Sequence, residues 1–362
     1  MYYSRTGKPR GRFKNVKKLS SLDKKNSKAF IGYYWNLFDE LDDNISLFDC
    51  LDDMNLKILC KHESNTLHID YQYEIVSLTD RNSLTNFLLT NYLPPRQVKI
   101  YVQDALQKRF FLQALPKYKE SFEIFPRHYL TVSRKPYRTE MPMKNFSVFC
   151  RRHTRDRLRF FFQLYRNKIL DNSHWSYQCI DPNDNENTVG VRYGNKKFDR
   201  VLPKRITEKD KASNQDHNAV YTALANSYLN IIIETVFDQT NYTNLESYDY
   251  SSMPTDISEK TFKAVSQRKP FVVFATPYWL SDFRSMGFKT FAPFIDESYD
   301  LVENNDKRME LIVRELVKLN GLSTKYLQKI INDCEEAVEH NYLVWKNMVN
   351  QYRHLTTYVD NI

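Results

Sequence analysis

Three polar pairs carry the chemistry that this sequence offers. Glu259 and Lys260 stand side by side in PTDISEKTFKAVSQRKPFVVFA (254–275). The spacing predicts a helix opening at these residues, capped by Asp256 or Ser258, followed by Pro270 and a buried strand. Arg151 and Arg152 directly follow the apolar run NFSVFC (145–150), and Glu234 and Thr235 end the run YLNIIIE (228–234). In an open α/β sheet, ligands bind at the carboxyl ends of strands beside helix amino ends. A lysine there supplies a point charge for a phosphate, and an arginine supplies a fork of donors. An adjacent acid does nothing for phosphate but accepts from ribose hydroxyls. Together these residue types suit a nucleoside diphosphate without a glycine-rich loop, the dipole of the helix end adding to the field. Each pair also has a plainer reading. An acid in a first helical turn is favourable on its own, and RRHTRDRLR continues as a basic surface run.

The elements that must position these residues follow an α/β rhythm. QVKIYV (97–102) and LKILC (56–60) read as buried strands, SFEIF (121–125) as a further strand, and SLTNFLLTNYL (83–93) as a helix stopped by Pro94 and Pro95. NFSVFC is a strand and Thr154 caps the next helix, whose apolar stripe is Leu158, Phe161, Phe162, Tyr165 and Ile169. HWSYQC (174–179) completes a β-α-β unit. Residues 181–218 are polar and read as a long loop or insertion. A helix near 218–226 leads into YLNIIIE, and another spans 304–319. A single long helix is expected from Ser323 to about residue 350, with Tyr326, Leu327, Ile330, Cys334, Val338, Tyr342 and Trp345 as its packing stripe.

The fold expectation is therefore α/β, with two Rossmann-like domains facing across a cleft and a long C-terminal helix. Residues 1–27 form a basic arm with nine Lys or Arg and a single acid, Asp23. Residues 28–140 form the first α/β domain, 141–320 the second, and 321–362 the terminal helix.

Composition bounds the function. The 362 residues are 41% hydrophobic, enough for real cores, and a formal charge of +9 permits phosphate-rich partners. The five cysteines are scattered without a metal-ligand spacing, which points to no metal site, no disulfide framework and a reducing cytoplasm. No apolar run is long enough to span a membrane.

Residues 145–299 resemble the donor-binding half of GT-B glycosyltransferases, especially the fucosyltransferase-like type and its phage and giant-virus relatives. The segments carrying the resemblance are FCRRHTRDRLRFFFQLYRNKILD, IIIETVFD, ISEKTFKAVSQRKPFVVFA and GFKTFAPFIDESYD. The resemblance implies a metal-independent glycosyltransferase with a nucleotide-sugar as co-substrate and no other cofactor. By it, Arg151 or Arg152 and Lys260 bind the diphosphate, while Glu259 and Glu234 contact the nucleoside or its sugar. Thr235 stands where the family has Asn. The first domain would supply the acceptor site and a base. His62-Glu63-Ser64, after LKILC, is similar to the family's Glu-Ser segment, so Glu63 is the candidate base, His62 the alternative, and Asp104 a further one.

Eleven Lys or Arg between 134 and 168 face only Glu140 and Asp156, which with the basic arm makes a polyanionic acceptor plausible. In a phage setting that acceptor would be a hydroxymethylated base in DNA, reached by flipping. A glycan or protein acceptor, and a nucleic-acid-binding protein without catalysis, are the competing expectations.

Overall fold

The structure, a computed structural model, describes residues 28–32, 63–64, 66–71, 78–124, 143–180, 190, 192–204, 217–238, 255–292 and 294–351. The basic arm, the expected strand at 56–60, His62 and most of the expected linker at 134–144 lie outside the described residues. The chain divides into two compact units, the first four strands in one and the last four in the other.

In the first unit, β1 (Lys28–Gly32), β2 (Thr66–Tyr71), β3 (Val98–Val102) and β4 (Phe122–Ile124) form a parallel sheet in sequence order. Helix α1 (Leu78–Thr90) starts five residues before the expected helix and stops short of Pro94, where Tyr92 turns to a left-handed φ of 51°. Helix α2 (Ala105–Leu112) follows β3. Its Phe111 packs against Tyr71 and Phe122, at 4.9 and 5.7 Å between ring centroids, and so ties the helix to the sheet.

The second unit is built on β5 (Lys144–Arg152), β6 (Ser173–Ile180), β7 (Ser227–Ile233) and β8 (Phe271–Phe274). All pairings are parallel and the order is β6-β5-β7-β8. Every residue of β7 and β8 is buried, as strands covered on both faces require. Side chains alternate across a strand, and the rings of β8 divide accordingly. Phe274 stacks on Phe160 of α3 (Arg155–Arg166) at 4.2 Å, whereas Phe271 meets Trp279 and Phe283 of α7 (Trp279–Ser285). Helices therefore cover both faces of this sheet.

The buried face of α3 is Arg157, Leu158, Phe160, Phe161 and Leu164. Phe162 and Tyr165, expected in the core stripe, are only half-buried. They face the segment 192–204, which is not a plain loop: it contains the short helix α4 (Lys196–Asp199), and its Phe198 is fully buried. Helix α5 (His217–Ala225) precedes β7 and α6 (Glu259–Ser266) precedes β8.

The C-terminal region departs from the expectation of one long helix. After α8 (Asn305–Asn320) come two helices, α9 (Thr324–Asp333) and α10 (Glu335–Gln351). The break falls at Cys334, whose N–H is shared between the carbonyls of Ile330 and Ile331 at 2.9 and 3.2 Å. Cys334 is buried, and α9 buries only Leu327 whereas α10 buries Val338, Asn341, Trp345 and Val349. Tyr326, expected in the packing stripe, is exposed. These helices belong to the second unit up to Asn350, not to a separate terminal element.

Candidate functional site at the carboxyl edge of the second sheet

The strand order β6-β5-β7-β8 contains a reversal. The chain leaves β5 toward β6 on one side, then returns past it to β7 and β8 on the other. The crevice of an open α/β sheet lies at such a switch point, outside the carboxyl ends of the two strands that flank it. Here those ends carry Arg151 and Arg152 on β5 and Glu234 and Thr235 after β7.

Strand β5 ends irregularly, its register with β6 shifting between Cys150 and Arg152. Arg151 is exposed and Arg152 half-buried. Thr154 caps α3, accepting from the Arg157 N–H at 3.3 Å. This cap starts the helix early enough to turn Arg157 inward. Arg157 is buried, and its guanidinium donates to the carbonyls of Arg152 (3.2 Å), Glu234 (2.9 Å) and Thr235 (3.1 Å). One side chain thus ties together the ends of the two strands at the switch point. Its partners are carbonyls, not carboxylates, so its positive charge is not cancelled by an ion pair there.

Helix α6 brings the second group. Its cap is Ser258. Glu234, 1% exposed, accepts from the Ser258 N–H at 3.2 Å and from the hydroxyls of Ser258 and Thr261. Lys260 Nζ lies 3.8 Å from the Glu234 carboxylate, 3.0 Å from Thr235 Oγ1 and 2.9 Å from Ser258 Oγ. Burial pushes the Glu234 carboxyl up from its usual range, while Lys260 and the two hydroxyls pull it back. Burial likewise pushes the Cys150 thiol up to about 11, against the nearby charges of Arg157 and Lys260. That thiol stays protonated and inert at neutral pH.

The expected residues Arg152, Glu234 and Lys260 are therefore brought to one edge, linked through Arg157 and Thr235. Glu259, in the first turn of α6, is half-buried beside them. One expectation changes. A nucleoside contact is expected of Glu234, but its carboxylate already serves the amino end of α6 and holds Lys260. The helix end expected to receive a ligand anion is occupied by the protein's own.

Beyond β8, a second buried arginine acts as Arg157 does. Arg308 of α8 is 1% exposed. It donates to the carbonyls of Phe237, Ala275, Val302 and Glu303 at 2.6 to 3.1 Å, and lies over the Phe237 ring at 4.2 Å. The Asp300 carboxylate accepts from the N–H groups of Leu280 and Ser281, closing the amino end of α7, and burial raises its pKa to about 6. Sequence reasoning passes over both arginines, since each lies inside a helix whose neighbours read as surface. The signal available for Arg157 is its place three residues after the Thr154 cap, on the face of Phe160 and Phe161.

The candidates of the first unit fall elsewhere. Glu63 lies in a turn three residues ahead of β2, at the amino end of that strand; the strand expected to end before it, 56–60, lies outside the described residues. Its side chain is 83% exposed and pairs with Arg96 at 2.8 Å. Asp104, at the carboxyl end of β3, caps α2 by accepting from the Gln107 N–H at 2.8 Å. Among the described residues, no group of three or more His, Cys, Asp or Glu side chains is placed to hold a metal ion, and no helix is long and apolar enough to cross a membrane.

Fold and site together define a two-unit parallel α/β protein with a cationic switch point. No family model matches the chain, and no curated protein matches it.

Proposed function

We propose that the protein is a glycosyltransferase that binds the diphosphate of a nucleotide-sugar donor at the β5/β7 switch point. On this reading the second unit is a Rossmann-like donor domain and the first a Rossmann-like acceptor domain. The observation that carries the reading is the Arg152–Arg157–Thr235–Lys260 chain of contacts across the two strand ends. Lys260, with Arg151 or Arg152, neutralises the leaving diphosphate. Such fixed cations, preorganised where charge develops, are the usual means of stabilising a leaving group without a metal. Glu259 is the acid that meets the nucleoside. Glu234 becomes a positioning residue that holds Lys260 and the start of α6. The acceptor is polyanionic, a modified base in DNA being the leading candidate and a glycan or protein the competitor.

A second reading, a nucleic-acid-binding protein without catalysis, is favoured by one observation. Glu234 already fills the amino end of α6. One assay separates the two. The protein is incubated with a panel of nucleotide sugars and free nucleoside diphosphate is measured. Slow release that disappears in Lys260→Met supports the transferase; salt-sensitive DNA binding with no release from any donor supports the second reading.

A further inference from the structure

Across much of the second unit, surface cations have carboxylate partners. Arg268 pairs with Glu339, Lys289 with Glu336, Lys307 with Glu310 and Lys318 with Glu315. The outer side of α3 is only partly covered: Arg159 pairs with Asp306 and Asp156 at 2.5 and 3.6 Å, whereas the exposed Arg166 has no carboxylate partner among the described residues. Arg155, Arg159, Phe162 and Arg166 follow one another at intervals of four, three and four residues, which places them on one helical stripe. The segment 192–204 lies over this stripe. Tyr193 stacks on Phe162 at 3.9 Å, and the buried Phe198 packs against Phe162 and Tyr165 at 5.5 and 5.2 Å. Asp199 turns away from the cations around it to accept from the N–H groups of Tyr193 and Gly194 at 2.8 and 3.1 Å.

The result is a face on which Arg166, Lys168, Arg192, Lys196, Lys197 and Arg200 are all exposed. No carboxylate among the described residues pairs with any of these six. Like charges brought together repel one another, and an anion that covers them offsets the cost.

We propose that this α3/α4 face docks the phosphate backbone of nucleic acid. The arginine stripe of α3, from Arg155 to Arg166, spans roughly 16 Å at 1.5 Å per residue. Duplex DNA carries one charge per about 1.7 Å of axis, so several phosphates lie within that length. Among the described residues, Tyr193 and Val201 are the exposed large apolar side chains of segment 192–204, fewer than an anchoring membrane helix presents, and Phe198 is buried against Phe162 and Tyr165 rather than offered to a protein partner. This inference does not rest on the donor site, since docking requires no nucleotide sugar.

The test is binding of a fluorescent 30-base-pair duplex to the full chain, by anisotropy, over a salt series without donor. In the variant R192Q/K196Q/K197Q/R200Q the slope of log K against log salt should flatten by about 3 to 4, at roughly 0.9 per lost contact. Affinity at low salt should fall at least about tenfold. The exchanged variant R192K/K196R/K197R/R200K should bind as the parent does, which guards against a folding effect. Lys289→Gln, Lys307→Gln and Lys318→Gln, made together, should change little. The proposal fails if the four-site glutamine variant keeps the parental slope or if the three-site control loses as much. It also fails if phosphatidylserine vesicles or polyglutamate bind as tightly as the duplex. Intact DNA binding with no donor turnover would count against the proposed transferase and leave this face standing.

Discussion

In the first sheet the four described strands lie side by side in the order in which the chain makes them. In the second, β7 returns across β5 and the order reverses. A reversal parts the loops at the carboxyl edge, one turning to each face, and leaves a crevice; a monotonic order leaves none among its strands. The polar residues follow this difference. In the first unit Asp104 is consumed as a helix cap and Glu63 sits in an exposed ion pair at the opposite edge. In the second, cations gather at the reversal: Arg157 is held by carbonyls, which orient its charge without cancelling it, and Lys260 by two hydroxyls and the Glu234 carboxylate. Topology, more than residue type, decides which acid or base is left to meet a ligand.

Substitutions in the two units put this contrast at risk. The largest effect is expected at Arg308. Arg308→Ala should destabilise the protein by about 4 kcal/mol in urea unfolding, because the buried carbonyls of Phe237 and Ala275 and the part-buried ones of Val302 and Glu303 lose their donor. Next comes Glu234→Ala, at about 3 kcal/mol, since the Ser258 and Thr261 hydroxyls and Lys260 lose their common acceptor. A double-mutant cycle with Lys260→Met should return a coupling of about 1–3 kcal/mol; additivity would mean that the pair does not work as a unit.

Asp300 gives a comparable effect that depends on pH. Its folded pKa, about 6, stands above the ordinary carboxylate value, so the folded state holds a proton that the unfolded state releases. The stability that this proton contributes is complete at low pH and is lost as pH rises through about 6. Relative to Asp300→Asn, the parent should therefore lose about 2 kcal/mol between pH 4 and pH 7. A constant difference across that range would contradict the assigned burial effect. In the first unit, Asp104→Ala should cost about 1 kcal/mol, an ordinary cap loss. Smallest of all, Glu63→Ala should leave both the unfolding midpoint and donor hydrolysis unchanged; loss of hydrolysis would restore a role to the first unit's edge.

Much of the second sheet is legible in the residues themselves. YLNIIIE is dense in apolar, β-branched residues because a central strand covered on both faces must be, NFSVFC and HWSYQC place apolar or aromatic residues at alternate positions, and the Thr154 and Ser258 caps announce their helices. The positions of Arg152, Glu234 and Lys260 follow from those boundaries. Two things do not. Arg157 and Arg308 owe their roles to carbonyls distant in sequence, such as Glu234 for the one and Phe237 for the other, and no local pattern encodes such a partner. The saturation of Glu234 is equally hidden, since it depends on how closely α6 approaches β7. The helix break at Cys334 carries neither proline nor glycine to mark it. The 192–204 segment reads as a loop because one buried ring, Phe198, makes no period.

Equilibrium binding of nucleoside diphosphates to the parent and to Lys260→Met, followed by titration calorimetry, is the sharpest probe of the switch point. A cationic diphosphate site there requires measurable binding of at least one diphosphate to the parent and a loss of tenfold or more in the variant, with its thermal unfolding still cooperative. Equal affinity in the two proteins, or no binding of any diphosphate to the parent, would contradict it.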